Sequence, residues 1–277
     1  MKIEQYFRQT YTNTDILFTN SGRAALQAVI EDFNLKNSSI IIPAFICYDV
    51  FSLLLKQNNI KPVLVDCPEN SFNITLNNIK KQYSKYKNKE KIKSVLIVHT
   101  FGKINEDIEN IANFCKENKI ILIEDCAHIL DLRLSGDAAI FTFNKVTNIP
   151  VGGAYIKNKG KIKVKPRKYK INSLDIYRIL NSNNLGKLLI KILKFFKTKE
   201  KIKVNPEKIE ILASPKFLSF FPLKKKFKMI PLLTENRDKE FSKLINQGIR
   251  AEKYWIPVFP GYKNAKNFSE KIIVRVL

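Results

Sequence analysis

Short apolar runs rich in isoleucine and valine alternate with segments of helical periodicity throughout residues 15–157. The apolar runs predict strands at 15–19, 39–42, 61–66, 93–99, 120–124, 138–143 and 153–157. The periodic segments between them predict helices at 22–33, 48–58, 75–86 and 105–118. Strands that alternate with helices form a largely parallel sheet with helices on both faces. The sequence therefore predicts an α/β fold for this part of the chain.

Residues with small or reactive side chains follow several of these predicted strands. Ser21 and Gly22 follow the first strand, His99 ends the fourth, Asp125 follows the fifth, and Lys145 is expected in a loop after the sixth. Open parallel sheets bind their ligands beyond the carboxyl ends of the strands. That edge of the sheet is therefore the candidate site.

The segment TNSGRAAL, residues 19–26, joins the first strand to the first helix. Small residues at this junction leave backbone N–H groups accessible at the start of the helix, where the helix dipole favours a phosphate group. An ordinary helix cap at Ser21 explains the same residues. The segment alone is therefore weak support for a phosphate site.

Two further segments contain residues that could take part in catalysis. In IEDCAH, Asp125 follows an apolar strand and His128 comes three residues later, so the carboxylate could keep a ring nitrogen protonated. The spacing fits neither a zinc site nor a Ser-His-Asp triad, and no metal is expected. In FTFNKVTNIPVGG, Lys145 lies between a strand and two glycines that allow close backbone approach. Taken singly, a structural aspartate and a solvated lysine explain these residues as well.

In this order and spacing, the three motifs resemble the DegT/DnrJ/StrS family of sugar aminotransferases, which are fold-type I enzymes that use pyridoxal 5′-phosphate (PLP). The family's SGTAAL, VHxxG and EDxAH motifs correspond to residues 21–26, 98–102 and 124–128. Its block of Gly-Asp, aromatic strand, lysine and Gly-Gly corresponds to residues 136–153. The resemblance covers 15–157 and is weaker over 229–260. It implies a large domain like that of aspartate aminotransferase, with a mostly parallel sheet, and a small, truncated α+β C-terminal domain.

The resemblance implies a role for each matching residue. Lys145 would bind PLP covalently and then move the proton during transamination, and Asp125 would pair with the pyridinium nitrogen. His128 would lie near the phenolic oxygen of PLP. The phosphate would be held at the start of the first helix and the end of the sixth strand, by Ser21, Gly22, Arg23 and Thr142. Where the family stacks an aromatic ring on PLP, this chain has Cys47, with Tyr48 next to it.

The implied function is conversion of a nucleotide-linked keto-sugar to an amino-sugar, with glutamate or glutamine as amino donor, by a homodimer. Two departures keep an alternative open. The family's GxNYRM segment, which reaches the partner's active site, has no match in 160–228, and the chain is short for the family at its C-terminus. The alternative is a catalytically impaired member that acts as a PLP-binding or assembly module. A dehydratase-like relative is disfavoured, because those relatives have histidine where this chain has Lys145.

The formal net charge of +24 raises the question of a polyanionic partner. The chain is rich in lysine, asparagine and isoleucine, whose codons are AT-rich, so genomic composition explains the bias. No RNP, zinc-finger or helix-turn-helix motif is recognised, and neither nucleic acid nor a membrane is expected as a partner. The N-terminus has no apolar signal core and the cysteines have no CxxC spacing, so a cytoplasmic protein with reduced thiols is expected.

The sequence after residue 157 is harder to interpret. A basic segment at 173–197 predicts one or two helices that pack on the protein itself. Residues 228–234 predict a strand, 236–247 a helix that ends at Gly248, and 249–258 an extended segment with Trp255. The expected organisation is a PLP-binding large domain at 1–160, a basic helical connecting region at 161–227 and a partial small domain at 228–277.

Overall fold

The computed structural model describes residues 1–169, 209–214, 222–225, 229–253 and 261–276. The strands of its large sheet are β1 (Asp15–Thr19), β2 (Ser39–Pro43), β3 (Lys61–Val65), β4 (Ile92–Val98), β5 (Ile121–Asp125), β6 (Ala138–Thr142) and β7 (Gly153–Lys157). The helices of the same part are α1 (Ile3–Thr10), α2 (Gly22–Asp32), α3 (Tyr48–Gln57), α4 (Leu76–Lys85), α5 (Ile108–Glu117) and α6 (Phe143–Val146). The predicted α/β fold is confirmed, whereas α1 and α6 were not predicted.

The large sheet has the strand order β1-β7-β6-β5-β4-β2-β3. Strand β7 runs antiparallel to both of its neighbours, β1 and β6. The pairs from β6 to β3 are parallel, so the carboxyl ends of these strands meet at one edge. Strands β4 and β5 are paired with Val98 opposite Asp125, which places the residues after both strands side by side.

The core of the large domain forms on both faces of this sheet. Strands β2, β4 and β5 are almost entirely buried, as expected for parallel strands covered by helices on both sides. Helix α1 contributes Phe7, whose ring packs edge-to-face on Phe141 of β6 with the centroids 5.0 Å apart. The sheet, with the candidate site at one of its edges, therefore lies between two packed layers.

A second, antiparallel sheet follows in the order β8-β10-β9, formed by β8 (Met229–Leu233), β9 (Ala251–Lys253) and β10 (Ile272–Val276). Two helices accompany it, α7 (Arg237–Asn246) and α8 (Lys263–Lys271). The structure confirms the predicted strand at 228–234 and the helix at 236–247, which ends before Gly248 with its φ of 73°. Helix α8 was not predicted. It places Phe268 in the same hydrophobic cluster as Phe45 of the large domain.

Some predictions fall outside the part of the chain that the structure describes. These are the helices at 173–197 and, within the extended segment at 249–258, the residues from 254 onward, with Trp255. Of the helices that are described, none is both long and apolar enough to cross a membrane.

Candidate active site

The carboxyl ends of β5 and β6 place four of the predicted site residues close together. Strand β5 ends at Asp125, and His128 follows three residues later. Strand β6 ends at Thr142, and α6 begins at the next residue. Lys145 lies in this one-turn helix, so the expectation of a loop was wrong. A helix of four residues is too short to produce a recognisable apolar period in the sequence.

Asp125 is a buried carboxylate, only 8% exposed. Its Oδ1 accepts a hydrogen bond of 2.9 Å from the backbone N–H of Ala127, and Oδ2 has no hydrogen-bond partner among the described residues. Burial raises the pKa of Asp125, and it outweighs the lowering effects of Lys145, the Ala127 N–H and His99. The described residues therefore do not fully offset the cost of burying the ionised carboxylate of Asp125.

His128 and Lys145 face each other, with the His128 Nε2 atom 3.4 Å from the Lys145 Nζ atom. The imidazole is buried, and its Nδ1 atom accepts the backbone N–H of Phe101 at 3.1 Å. Burial, together with the positive charge of Lys145, holds the pKa of His128 well below its usual range. His128 is therefore a neutral ring at physiological pH.

The start of helix α2 lies against the end of strand β6. The hydroxyl of Ser21 accepts the Ala24 N–H at 3.2 Å, so Ser21 is a helix cap, as one reading of the sequence expected. The N–H groups of Gly22 and Arg23 have no partner inside the helix, and the Arg23 side chain is exposed. A Cβ atom on Gly22 would overlap Thr142 Oγ1, so this hydroxyl stands directly beside the helix start.

Cys47 and Tyr48 lie at the same edge of the sheet, at the beginning of α3 and two strands away from β5. Both residues are half-buried. Their predicted stacking on the cofactor stays a prediction.

A buried pair that the sequence reasoning missed lies directly behind this site. His99 and Glu124 are both inaccessible to solvent, and the His99 Nε2 atom lies 2.9 Å from Glu124 Oε2. The Nδ1 atom of His99 accepts the Asn105 N–H at 3.1 Å, so the proton of a neutral ring lies on Nε2 and is donated to Glu124. The pairing of β4 with β5 was the available signal, because it brings the two motifs side by side.

The fold and these residues define a class of protein: an α/β domain with a lysine, a carboxylate and a helix start at the carboxyl edge of its sheet. Solved structures of sugar aminotransferases share this fold. The PLP form of the putative sugar aminotransferase Spr1654 from Streptococcus pneumoniae has a TM-score of 0.63 at 15% identity, covering 98% of this chain and 84% of that one. PseC from Helicobacter pylori has the same TM-score at 17% identity, with the same coverage.

Residues 1–184 match the DegT/DnrJ/EryC1/StrS aminotransferase family, and the chain belongs to this family. GDP-perosamine synthase from Vibrio cholerae is 26% identical over 149 residues, which are 50% of this chain but 39% of that protein. The dTDP-4-amino-4,6-dideoxy-D-glucose transaminase of Shigella dysenteriae is 25% identical over 91% of this chain and 74% of its own length. The match to GDP-perosamine synthase thus spans less than half of that enzyme.

Membership of this family indicates PLP as the cofactor, and the residues at the sheet edge fit such a group. The Oδ2 atom of the buried Asp125, which no described residue hydrogen-bonds, suits a protonated ring nitrogen. The N–H groups of Gly22 and Arg23, which have no partner inside α2, and the adjacent Thr142 hydroxyl suit a phosphate. Lys145 follows Thr142 by three residues in the chain, and its amine contacts His128.

Proposed function

We propose that this protein is a PLP-dependent aminotransferase that converts a keto-sugar to an amino-sugar. The observation that carries the proposal is the buried carboxylate of Asp125, whose Oδ2 has no hydrogen-bond partner among the described residues and lies at the same sheet edge as Lys145. Burial raises the pKa of this carboxyl group, and a cationic N–H would restore its ionised form. A pyridinium nitrogen supplies such a group, and the carboxylate in return keeps that nitrogen protonated.

Each residue then has a distinct task. Bound PLP supplies an electron sink for the carbanion of the substrate. Lys145 holds the cofactor covalently and carries the proton between the two carbon atoms that exchange it. The neutral His128 offers a hydrogen-bond donor beside the lysine. Gly22, Arg23 and Thr142 bind the phosphate, while Ser21 fixes the helix start on which they depend.

The substrate is proposed to be linked to a nucleotide, with glutamate or glutamine as the amino donor. The names of the relatives from Vibrio cholerae and Shigella dysenteriae refer to GDP-linked and dTDP-linked sugars and support the nucleotide link, whereas the amino donor follows from the family resemblance alone. A homodimer in the cytoplasm is proposed as the working form. All four cysteines are thiols, as a reducing compartment allows, and light scattering of the purified protein tests the dimer.

The test of cofactor binding begins with the visible absorption spectrum of the purified protein with added PLP. We expect absorption of lysine-bound PLP, and borohydride reduction followed by peptide mapping should place the label on Lys145. Lys145→Ala should lose this absorption and about 10²–10⁴-fold in activity. The exposed Lys159, just after β7, gives a matched control, and Lys159→Ala should behave like the wild type. A label on another lysine would refute the assignment.

The test of the reaction is the half-reaction with an amino donor. Glutamate or glutamine should convert the lysine-bound absorption to that of the amine form of the cofactor. Asp125→Asn should retain PLP but lose this conversion, because the amide does not keep the ring nitrogen protonated. A protein that binds PLP on Lys145 and is never converted by any amino acid would support the alternative, a PLP-binding or assembly module.

A further inference from the structure

The loop after strand β4 directs one backbone N–H at the active-site histidine. Phe101 adopts a left-handed conformation with φ of 55° and ψ of 26°, which is uncommon for an aromatic residue and costs backbone free energy. In this conformation its N–H donates to His128 Nδ1 at 3.1 Å. Gly102 is also left-handed, with φ of 81°, and a Cβ there would lie 3.0 Å from the His128 carbonyl oxygen. The loop is thus fitted closely to His128.

This hydrogen bond decides which nitrogen of His128 carries the proton. An atom that accepts a backbone N–H uses its lone pair, so the proton of the neutral ring must lie on Nε2. Nε2 is the atom that faces Lys145 Nζ at 3.4 Å. The ring therefore presents a donor, and not an acceptor, to the space beside the lysine.

The ring of Phe101 also fixes the plane of the imidazole. The two rings are stacked at an interplanar angle of 10°, with the centroids 5.8 Å apart. The Phe101 ring also packs edge-to-face on the Phe72 ring, with the centroids 5.4 Å apart. The Phe72 ring in turn contacts the Phe268 ring, with the centroids 4.8 Å apart. A continuous series of aromatic contacts therefore leads from His128 to helix α8.

Helix α8 is fixed to the large domain by a carboxylate at its start. Asp66, just after β3, accepts the backbone N–H groups of Asn264 at 3.1 Å and Ala265 at 2.9 Å. The side-chain amide of Asn264 donates to the Cys67 carbonyl at 2.7 Å. These bonds place Phe268 in the aromatic series.

We propose that Phe101 is a positioning residue for His128 and that it links helix α8 to the active site. Its N–H fixes the proton on Nε2, and its ring, held by Phe72 and Phe268, fixes the imidazole plane. The second sheet with its helix α8 thereby acts on the cofactor pocket through packing. The relevance to catalysis rests on the function proposed above, whereas the tautomer and the link are properties of the protein itself.

The test uses nuclear magnetic resonance of the PLP-free protein with ¹⁵N-labelled histidine, because the chain has only two histidines. His128→Asn assigns the signals, and His99 serves as an internal reference with the same expected tautomer. In the wild type, His128 should show a protonated Nε2 and an unprotonated Nδ1. Phe101→Gly, which keeps the N–H and tolerates the positive φ, and Phe268→Ala should both broaden or average these signals and speed exchange of the Nε2 proton with water.

A matched control is Phe114→Ala on α5, which truncates another buried ring whose aromatic partner is Tyr83. It should leave the His128 signals unchanged. If Phe268→Ala does not fold, Phe268→Leu replaces it, with a smaller effect expected in the same direction. A proton on Nδ1, or a mixture of tautomers, in the wild type would overturn the assignment. His128 signals that respond to neither Phe101→Gly nor the Phe268 variant would overturn the link. Neither result depends on PLP binding, so both are distinct from failure of the proposed function.

Discussion

The contact between Gly22 and Thr142 leads to a prediction in which stability and cofactor binding change by different amounts. A Cβ atom on Gly22 would lie well inside the 3.0 Å that Cβ atoms keep from other atoms, with Thr142 Oγ1 as the obstacle. Threonine is stiff at χ1 because it is β-branched. Gly22→Ala must therefore displace the Thr142 hydroxyl or the start of helix α2.

The expected loss of stability is modest because two effects oppose each other. Overpacking costs about 1–3 kcal/mol, whereas replacing glycine by alanine in a helix restores about 0.4–1 kcal/mol. The net destabilisation should be about 0–2.5 kcal/mol. PLP binding should weaken by more than the fold is destabilised. A hydrogen bond to a charged phosphate contributes about 1.5–3 kcal/mol, and its loss corresponds to an increase in Kd of about 10–150-fold.

The assay combines urea unfolding of the PLP-free protein with a PLP titration followed by absorption. Thr142→Ala removes the obstructing hydroxyl, so Gly22→Ala should cost no stability in that background and should weaken PLP no further. Gly261→Ala is the matched control, since no atom of the described residues lies within 4 Å of a Cβ there. If Gly22→Ala binds PLP as tightly as the wild type, the start of α2 and Thr142 are not the phosphate site.

Three further predictions concern a buried ion pair at the end of α2, the buried Glu124 and the four cysteines. Asp32→Asn should lower the free energy of unfolding in urea by about 3 kcal/mol. The buried Asp32 carboxylate accepts hydrogen bonds from Lys157 Nζ and Tyr155 Oη, both at 2.7 Å, and the substitution leaves Lys157 without its charged partner. Burial raises the pKa of Asp32, but hydrogen bonds from Lys157, the Lys163 N–H and Tyr155 outweigh it and keep the pKa low. This contribution is present above the unfolded pKa of about 4 and is lost as the pH falls, so the variant should lose less stability in acid; an unchanged acid limb would contradict this. Glu124→Gln should destabilise the fold by about 1–3 kcal/mol, measured in the same way, because an amide cannot accept all the hydrogen bonds that meet there; wild-type stability would contradict it. Iodoacetamide at pH 8 should add one label per chain, at the half-buried Cys47, and PLP should slow it; mass spectrometry would contradict this by finding labels at the buried thiols, Cys67, Cys115 and Cys126.

The sequence was sufficient to predict the large domain because its strands are apolar runs bounded by clear helical segments. Parallel strands that are buried on both faces need such runs, so composition and fold are directly related there. The motif order also predicted which residues gather at the sheet edge. Helix α8 was missed because KNAKNFSEK has few apolar residues. The helix is held by the Asp66 carboxylate and by the contact of its Phe268 ring with Phe72, and both partners are distant from it in the chain.

The hydrogen bonds that the Nδ1 atoms of the two histidines accept could not be predicted, because each depends on a backbone N–H whose direction is set by the loop after β4. The motif VHTFG contains His99 and Phe101, but the residue type of Phe101 gives no indication of its left-handed φ. Glycine would have been the expected residue at such a conformation. Only the folded loop shows that His99 and His128 accept N–H groups from Asn105 and Phe101.

The adjacent carboxylates Glu124 and Asp125 show how the fold separates a structural acid from a functional one. Neighbouring residues of a strand point to opposite faces, so the two side chains meet different surroundings. Glu124 accepts from the His99 ring and from the N–H groups of Ser135 at 2.8 Å and Gly136 at 2.6 Å. Asp125 accepts one N–H within the described residues and keeps an oxygen unused, although it is buried. A buried carboxylate with few donors is stable in its ionised form only when a cation joins it. The number of hydrogen-bond donors around each carboxylate therefore supports the cofactor-binding role proposed for Asp125 and a structural role for Glu124.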